Sequence, residues 1–348
     1  MSRRPPIHVL PNTPTLRQTR GLSTSTAAKA APGKPKGEEE TPQKSIVERV
    51  VDFAKTQSSR PDFDRSDAPI EVTKHPDPEW KYGQGVRWGQ RHRPDDPVTA
   101  AEHREVDPLA PGRSMVDNYR LLISGIAPRP IGFLSTVSGG PGPVKKNLAP
   151  FSYFQVVEHD PPTFVVGFSA RAGREKDTYR NLRENGECVI NTVSENMIEA
   201  VNAASIDAPY GVSEWDVSGL TEAPASTVRP SRVRESVFSV EGRVVDIKEF
   251  NSPAASKPTM SVAAVVLIQA TRFWVREDAT NAAASHIDLE KLRPVAQLGG
   301  IAYGRIASTF ELPRQHWDSE CRESELLSEL DRQSKKSEEE TAGERPPE

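Results

Sequence analysis

The amino-acid sequence predicts a mainly β domain, a barrel or a sandwich with a few capping helices, between long extensions of low complexity. Apolar residues are concentrated between about Tyr119 and Leu312, although proline makes up 31 of the 348 residues of the chain. Within that apolar region, short β-branched and aromatic runs outnumber helical patterns. The helical segments between them are few and short, which argues against a doubly wound parallel sheet.

Five apolar runs predict the strands of this domain, and Gly242 marks a candidate bulge in the fourth. They are IGFLSTVS (Ile131–Ser138), TFVVGFSA (Thr163–Ala170), ECVINTVS (Glu187–Ser194), VFSVEGRVVDIKEF (Val237–Phe250) and SVAAVVLIQATRFWVRED (Ser261–Asp278). The last is long enough for one bent strand or a strand pair. Two capped helices are expected at Asp177–Gly186 and Ser194–Ser205, with Asp177 and Ser194 as N-caps and Gly186 at the C-terminus of the first.

The sequence divides into four parts, of which residues 111–314 form the predicted domain. Residues 1–37 are rich in Arg and Ser and contain no acid before Glu38, a pattern typical of a mitochondrial transit peptide. An ordinary basic tail on a cytoplasmic protein is the alternative. Residues 38–110 are predicted to be a low-complexity arm with one short helix at Ser45–Gln57, anchored by Trp80, Tyr82 and Trp88. Residues 315–348 are predicted to be an acidic, partly disordered tail with a charged helix at Glu323–Gln333.

Composition excludes several classes of function. A net charge of −4 gives no whole-chain basis for nucleic-acid binding, and no apolar run approaches the length of a membrane span. The two cysteines, Cys188 and Cys321, provide neither a disulfide framework nor a metal pair, and Cys188 is expected to be a core residue. The histidines are scattered without metal-ligand spacing, so no metal is predicted.

The usual nucleotide and metalloprotease motifs are absent: no GxGxxG follows a strand, and neither GxxxxGK[ST] nor HExxH occurs. A different phosphate-binding pattern follows the second strand, where a helix is expected to start. A helix N-terminus presents unpaired N–H groups, and cationic and hydroxyl side chains beside it complete a phosphate cradle. Plain surface charge is the alternative reading of these residues. The candidates are Ser169, Arg171, Arg174, Lys176 and Thr178.

A second polar cluster lies in KNLAPFSYF (Lys146–Phe154), between two apolar strands. Ser135 and Thr136 of the preceding strand, with Asn147 and Ser152, offer donors and acceptors around an apolar bed. A planar heteroaromatic ring needs such surroundings. A strand with a β-bulge accounts for the same residues without any ligand. Pro150 is expected to terminate strand pairing.

The ordered string of motifs resembles the flavin-reductase-like, FMN-binding split-barrel proteins, in particular the fungal members of the flavoredoxin-like branch. The resemblance covers about Met115–Pro313 and rests on RPIGFLSTVS, NLAPFSYF, DPP, GFS, KDTYRN, GECVIN, PYGVSEWDVSGL, VREDATN and IDLEKLRPVAQLGGIAYGR, in that order. It implies a Greek-key split barrel that works as a homodimer, with FMN bound near the dimer interface.

The resemblance also assigns residues to parts of the cofactor. Arg129, Ser135 and Thr136 are implied to lie beside the flavin. Asn147, Leu148, Ala149 and Ser152 are implied to hold the isoalloxazine ring and ribityl chain, and Ser169, Arg171, Lys176 and Thr178 the phosphate. One departure is Gln297, which stands where similar proteins often have Arg, so any role of that position in the site is open.

The implied activity is NAD(P)H-dependent reduction of FMN by hydride transfer to flavin N5. The flavin carries that chemistry, so no catalytic residue is nominated. Two alternatives stay open: a non-catalytic FMN-binding or electron-transfer module, and a barrel that has lost flavin and serves as an interaction protein.

Overall fold

A computed structural model describes residues 53–65, 68–87, 102–169, 175–250 and 262–343, with the backbone alone for 339–343. Residues 1–37, Trp88 and Arg171 therefore lie outside the described residues, as does most of the helix expected at Ser45–Gln57. The helices are α1 (Phe53–Ser58), α2 (Met115–Gly125), α3 (Asp177–Asn185), α4 (Ile198–Ala203), α5 (Glu214–Ser218), α6 (Leu289–Leu292), α7 (Trp317–Glu323) and α8 (Glu325–Gly343).

Most strands belong to one antiparallel sheet, and three short strand pairs lie outside it. The strands are β1 (Glu71–Thr73), β2 (Gly132–Val137), β3 (Lys146–Phe151), β4 (Phe154–His159), β5 (Pro162–Phe168), β6 (Glu187–Asn191), β7 (Glu222–Ala223), β8 (Arg232–Val233), β9 (Phe238–Phe250), β10 (Ala263–Val275), β11 (Val295–Gln297), β12 (Tyr303–Arg305) and β13 (Ser308–Phe310). The main sheet has seven strands in the order β3-β2-β6-β9-β10-β5-β4. This mainly β architecture with few helices confirms the predicted fold class, a split β-barrel.

The longest pairing joins β9 to β10, and the last predicted run contains a single strand, Ala263–Val275, rather than a strand pair. Gly242 is not itself the bulged residue. The register shifts between Ala270 and Arg272, which places the extra residue, Thr271, on the partner strand. A Cβ atom at Gly242 would collide with the Cγ2 methyl group of Ile268. The glycine is therefore needed for the close approach of two buried strands.

Strand β2 separates two halves of the core because all of its residues are buried. Leu134 points to one side, into a cluster that includes Phe168, Tyr179 and Ile268. Phe133 points to the other side, into a cluster with the residues that α4 and α5 contribute. Cys188 is fully buried in the first cluster, which confirms it as a core residue, and burial raises the pKa of its thiol to about 12.

The KNLAPFSYF segment contains an edge strand, β3, which pairs with β2. Pro150 does not terminate this pairing, because it lies within β3 opposite Phe133. An edge strand tolerates proline since one row of its N–H groups has no ladder partner to lose. Helices α3, α4 and α5 pack against β3, and the candidate cleft lies at this edge of the sheet.

The described part of the arm contacts the C-terminal end of the chain. Strand β1 pairs in parallel with β13, and the Tyr82 hydroxyl donates to the Glu320 carboxylate of α7 over 2.9 Å. Trp80 instead donates to the Gly85 carbonyl within the arm. Helix α8 reaches Gly343, well beyond the helix predicted at Glu323–Gln333. None of the helices described here is both long and apolar enough to cross a membrane.

Candidate cofactor site

A cleft with two ends runs along β3. The first, called here the Lys176 end, has a volume of about 50 Å³ and is walled by β3, the start of α3 and the α4–α5 loop. The second, called the Arg129 end, has a volume of about 330 Å³ and lies between α2, the end of β3 and the β11–β12 turn. Pro150 and Ser205 line both ends, so the two cavities adjoin.

The Lys176 end is built on the N-terminus of α3. Lys176 is the N-cap residue, and Asp177, predicted as the N-cap, is the first helical residue instead. The Lys176 side chain makes no capping hydrogen bond, so the first N–H groups of the helix donate none to the side chain of their N-cap residue. A helix N-terminus with its dipole and a lysine beside it together favour an anion at this end of the cleft.

A hydrogen-bonded set of side chains forms the floor of the Lys176 end. The Asn147 amide nitrogen donates to the Thr178 hydroxyl over 2.8 Å and to the Thr136 hydroxyl over 3.3 Å. Register places Asn147 directly opposite Thr136 on the paired strands. Because the Thr178 oxygen accepts from Asn147, its own proton is directed elsewhere. Three residues predicted from two separate motifs are thus in contact.

Carboxyl groups also line this end, and they test whether a phosphate fits. Glu214 is buried, and its carboxyl group accepts the backbone N–H of Leu148 over 3.1 Å. Burial raises the pKa of Glu214, which favours its neutral form. Glu175 is neutralised by ion pairs with Arg180 and Arg183. Lys176, the N-terminus of α3, the ion-paired Glu175 and the neutral form of Glu214 favour a phosphate here, whereas the carboxyl groups of Asp177 and Asp207, which also line this end, oppose it.

The Arg129 end combines one buried cation with aromatic walls. Arg129 Nη1 donates to the carbonyl oxygens of Ile123 and Ile126, both over 2.5 Å, and its Nε donates to the Ser152 hydroxyl over 3.3 Å. These bonds fix the end of α2 against β3. Arg129 lines this end of the cleft with only 6 % of the residue exposed, so solvent screens its positive charge weakly.

Three tyrosines, Tyr119, Tyr153 and Tyr303, complete the Arg129 end. Burial raises the pKa of Tyr153 and Tyr303, so both phenols stay protonated at neutral pH. The backbones of Arg129 and Gln297 pair with each other. The Gln297 amide donates to the carbonyls of Gly300 and Ala302, over 3.1 and 3.2 Å. Gln297 therefore closes the β11–β12 turn.

Comparison with known proteins shows which family this chain belongs to. Residues 124–292 match the family described as "Flavin reductase like domain". An uncharacterised protein of Halalkalibacterium halodurans is 37% identical over 202 residues, which cover 58% of this chain and 92% of that protein. The chain belongs to the flavin reductase like domain family.

Solved structures agree with this assignment. Nitrilotriacetate monooxygenase component B from Bacillus cereus superposes with a TM-score of 0.55 at 27% identity, over 61% of this chain and all (100%) of that chain. Pseudomonas fluorescens 2-nitrobenzoate 2-nitroreductase NbaA superposes with a TM-score of 0.50 at 23% identity, over 59% of this chain and 93% of that chain. The second likeness concerns the fold alone.

The flavin reductase domain brings most of the predicted site residues to one cleft. Asn147, Ala149, Lys176 and Thr178 line the Lys176 end, and Arg129 and Ser152 line the Arg129 end. Thr136 is buried beneath them, while Ser169 is exposed at the end of β5.

Two predicted residues point away from the cleft. Ser135 is fully buried and donates its hydroxyl to the carbonyl of Ser231, on the strand side opposite Thr136. Leu148 is fully buried in the core, and its backbone N–H is already bonded to Glu214. Neighbouring residues of a strand face opposite sides, so Ser135 and Thr136 cannot both face one ligand.

The structure adds cleft residues that sequence reasoning missed. Glu214 and Ser205 come from the α4–α5 region, and Tyr119 and Tyr303 come from elements far apart in sequence. Glu214 lies in the motif PYGVSEWDVSGL, which contributed to the family resemblance but was not assigned to the site. Among the described residues, no group of three or more His, Cys, Asp or Glu side chains is placed to hold a metal ion.

Proposed function

We propose that this protein is an FMN-binding oxidoreductase that accepts hydride from NAD(P)H. The observation that carries the proposal is the pair of adjoining cavities, with a helix N-terminus and a lysine at one end and a polar-edged aromatic chamber at the other. A flavin mononucleotide has a phosphate and a planar ring at its two ends. When bound, FMN supplies hydride acceptance at its N5 atom, and the protein supplies binding and orientation.

The proposed roles follow the position of each side chain. Lys176, Thr178 and the first N–H groups of α3 bind the phosphate. Ser169 and Arg171 are assigned to the phosphate from their motif alone, and Arg171 lies outside the described residues. Asn147 orients Thr178 through their 2.8 Å hydrogen bond. Ala149 and Pro150 border the ribityl chain, where the two ends of the cleft join. No side chain is required to act as a proton donor.

The Arg129 end would hold the isoalloxazine ring. The Arg129 guanidinium donates to protein carbonyls and to Ser152, so it acts through its fixed positive charge. A buried positive charge favours a ring that gains negative charge on reduction. The exposed aromatic mouth, with Tyr119 half exposed, leaves room for a nicotinamide on the open face of the ring.

A homodimer is part of the proposal because an apolar groove adjoins the ring end. This groove has a volume of about 620 Å³, is lined by apolar residues that include Phe154 and Ile306, and shares Ile131 with the Arg129 end. A second copy covering it would remove apolar surface from water. Light scattering should then give twice the chain mass. A monomeric mass would contradict this part of the proposal.

Anaerobic reduction tests the activity directly. FMN-loaded protein is mixed with NADH or NADPH, and loss of the oxidised-flavin absorbance is followed against free FMN. Rapid bleaching by either donor supports the oxidoreductase. If FMN binds but neither NADH nor NADPH bleaches it, the protein is an electron-transfer or flavin-storage module instead. Failure to bind FMN would favour an interaction protein built on the same barrel.

Mitochondrial location also remains a proposal, supported by the basic, acid-poor start of the sequence. A fluorescent protein fused behind residues 1–40 should enter mitochondria. Cytosolic fluorescence from that fusion would refute import, and the protein would then be assigned to the cytoplasm.

A further inference from the structure

The α4–α5 loop does more than wall the Lys176 end. Its residues Ser205, Ile206 and Asp207 line that end of the cleft. Farther along the loop, the Tyr210 ring lies between two cations, with Lys145 Nζ 4.1 Å and the Arg180 guanidinium carbon 4.3 Å from its centroid. Two cation–π contacts hold the ring at the surface of the domain.

A chain of hydrogen bonds leads from this tyrosine into the floor of the cleft. The Tyr210 hydroxyl donates to Asn181 Oδ1 over 3.3 Å. Asn181 Nδ2 donates to the Thr136 hydroxyl over 2.9 Å. Thr136 also accepts from Asn147, which in turn donates to Thr178. Asn181, Thr136 and Thr178 are all at most 1% exposed, so water does not compete for these bonds.

The polarity of the chain determines which way each amide points. A phenol donating to Asn181 selects its oxygen for that contact and leaves its NH₂ group for Thr136. Asn147 then uses both amide hydrogens, one on Thr136 and one on Thr178. Its own oxygen and the Thr178 proton are left facing other partners. The Tyr210 hydroxyl therefore selects the orientation of the Asn181 amide, and Asn181 and Asn147 together supply both hydrogen bonds that the Thr136 oxygen accepts.

We propose that Asn181 and Tyr210 are positioning residues for phosphate binding at the Lys176 end. The inference rests on the proposed function, since it concerns the same cleft. Neither residue lines the cleft, and both act through Thr136, Asn147 and Thr178. The same chain connects the α4–α5 loop to the start of α3, so the wall and the floor of the Lys176 end are held together.

The test compares two ligands that differ only in the phosphate. Dissociation constants for FMN and riboflavin are measured by quenching of flavin fluorescence on the full chain. Tyr210→Phe keeps the ring between its two cations and removes only the hydroxyl. It should weaken FMN binding about 2- to 10-fold, the range of one hydrogen bond, and leave riboflavin unchanged. Asn181→Ala should have the larger effect on FMN.

Tyr82→Phe is the matched control, because it removes a tyrosine hydroxyl that bonds Glu320 away from the cleft. It should change neither affinity. An FMN-to-riboflavin ratio that stays at the wild-type value in Tyr210→Phe would overturn the inference, and a fall in thermal midpoint alone would show a structural role. If Asn181→Ala fails to fold, Tyr210→Phe still decides. Wild-type protein that binds FMN no better than riboflavin would instead refute the phosphate site itself.

Discussion

Replacing Lys176 by alanine should weaken FMN binding selectively while leaving the fold intact. The side chain lies at the N-cap of α3 and makes no capping hydrogen bond to the helix. It lines the Lys176 end beside Thr178. Its charge is therefore expected to act on the ligand rather than on the helix.

The magnitude follows from the kind of contact. A hydrogen bond to a charged group contributes about 1.5–3 kcal/mol, which corresponds to a roughly 10- to 150-fold change in the dissociation constant. Partial solvent exposure of Lys176 favours the lower part of that range. Riboflavin has no phosphate, so its affinity should change by less than about 2-fold, a difference below ordinary hydrogen-bond energies.

The assay is fluorescence titration of both flavins at constant ionic strength, repeated at raised salt. The wild-type preference for FMN over riboflavin should fall with salt, since screening weakens charge interactions. Lys291→Ala is the control, because it removes an exposed lysine of α6 that does not line the cleft. Equal losses of FMN and riboflavin affinity in Lys176→Ala would refute the assignment of this end to the phosphate.

Three further predictions concern the fold around the cleft. Gly242→Ala should cost about 1–3 kcal/mol in the free energy of unfolding measured with urea, because its Cβ has no room, whereas Gly140→Ala, in open space, should be neutral. Similar midpoints for both variants would contradict the close approach of the strands. Burial raises the pKa of Glu214, so its folded form holds a proton to higher pH, and stability should fall as pH rises above about 4.5. Glu214→Gln should reduce the loss of thermal stability with rising pH. If the variant loses stability with pH as steeply as the wild type, other titrating groups cause the loss. Ser135→Ala should lower stability by about 1 kcal/mol through its lost bond to Ser231, without changing FMN affinity, and weakened FMN binding would restore Ser135 to the site.

Patterns local in sequence predicted much of this domain. Alternating apolar runs identify β2, β5, β6, β9 and β10, because burial on a sheet imposes its periodicity on neighbouring residues. Gly186 at the end of α3 follows equally local rules and adopts the left-handed conformation, with φ 70°. Strand β3 was missed because Pro150 and polar side chains interrupt it, although an edge strand accepts both.

The candidate site was only partly predictable because it depends on contacts between distant segments. Motif order identified Lys176, Thr178 and Asn147 but gave no indication that Ser135 faces Ser231. The closeness of Asn181 to Thr136, 45 residues earlier, follows from helix packing on β2. The three tyrosines of the Arg129 end come from α2, the β3–β4 turn and β12, which no single motif contains.

Equilibrium titration of the purified wild-type protein with FMN tests the central claim most directly. The account predicts saturable quenching of flavin fluorescence with one FMN per chain, and weaker binding of riboflavin because the Lys176 end is left unfilled. Fluorescence that stays unchanged at every protein concentration would contradict it, and the cleft between Lys176 and Arg129 would then need another ligand.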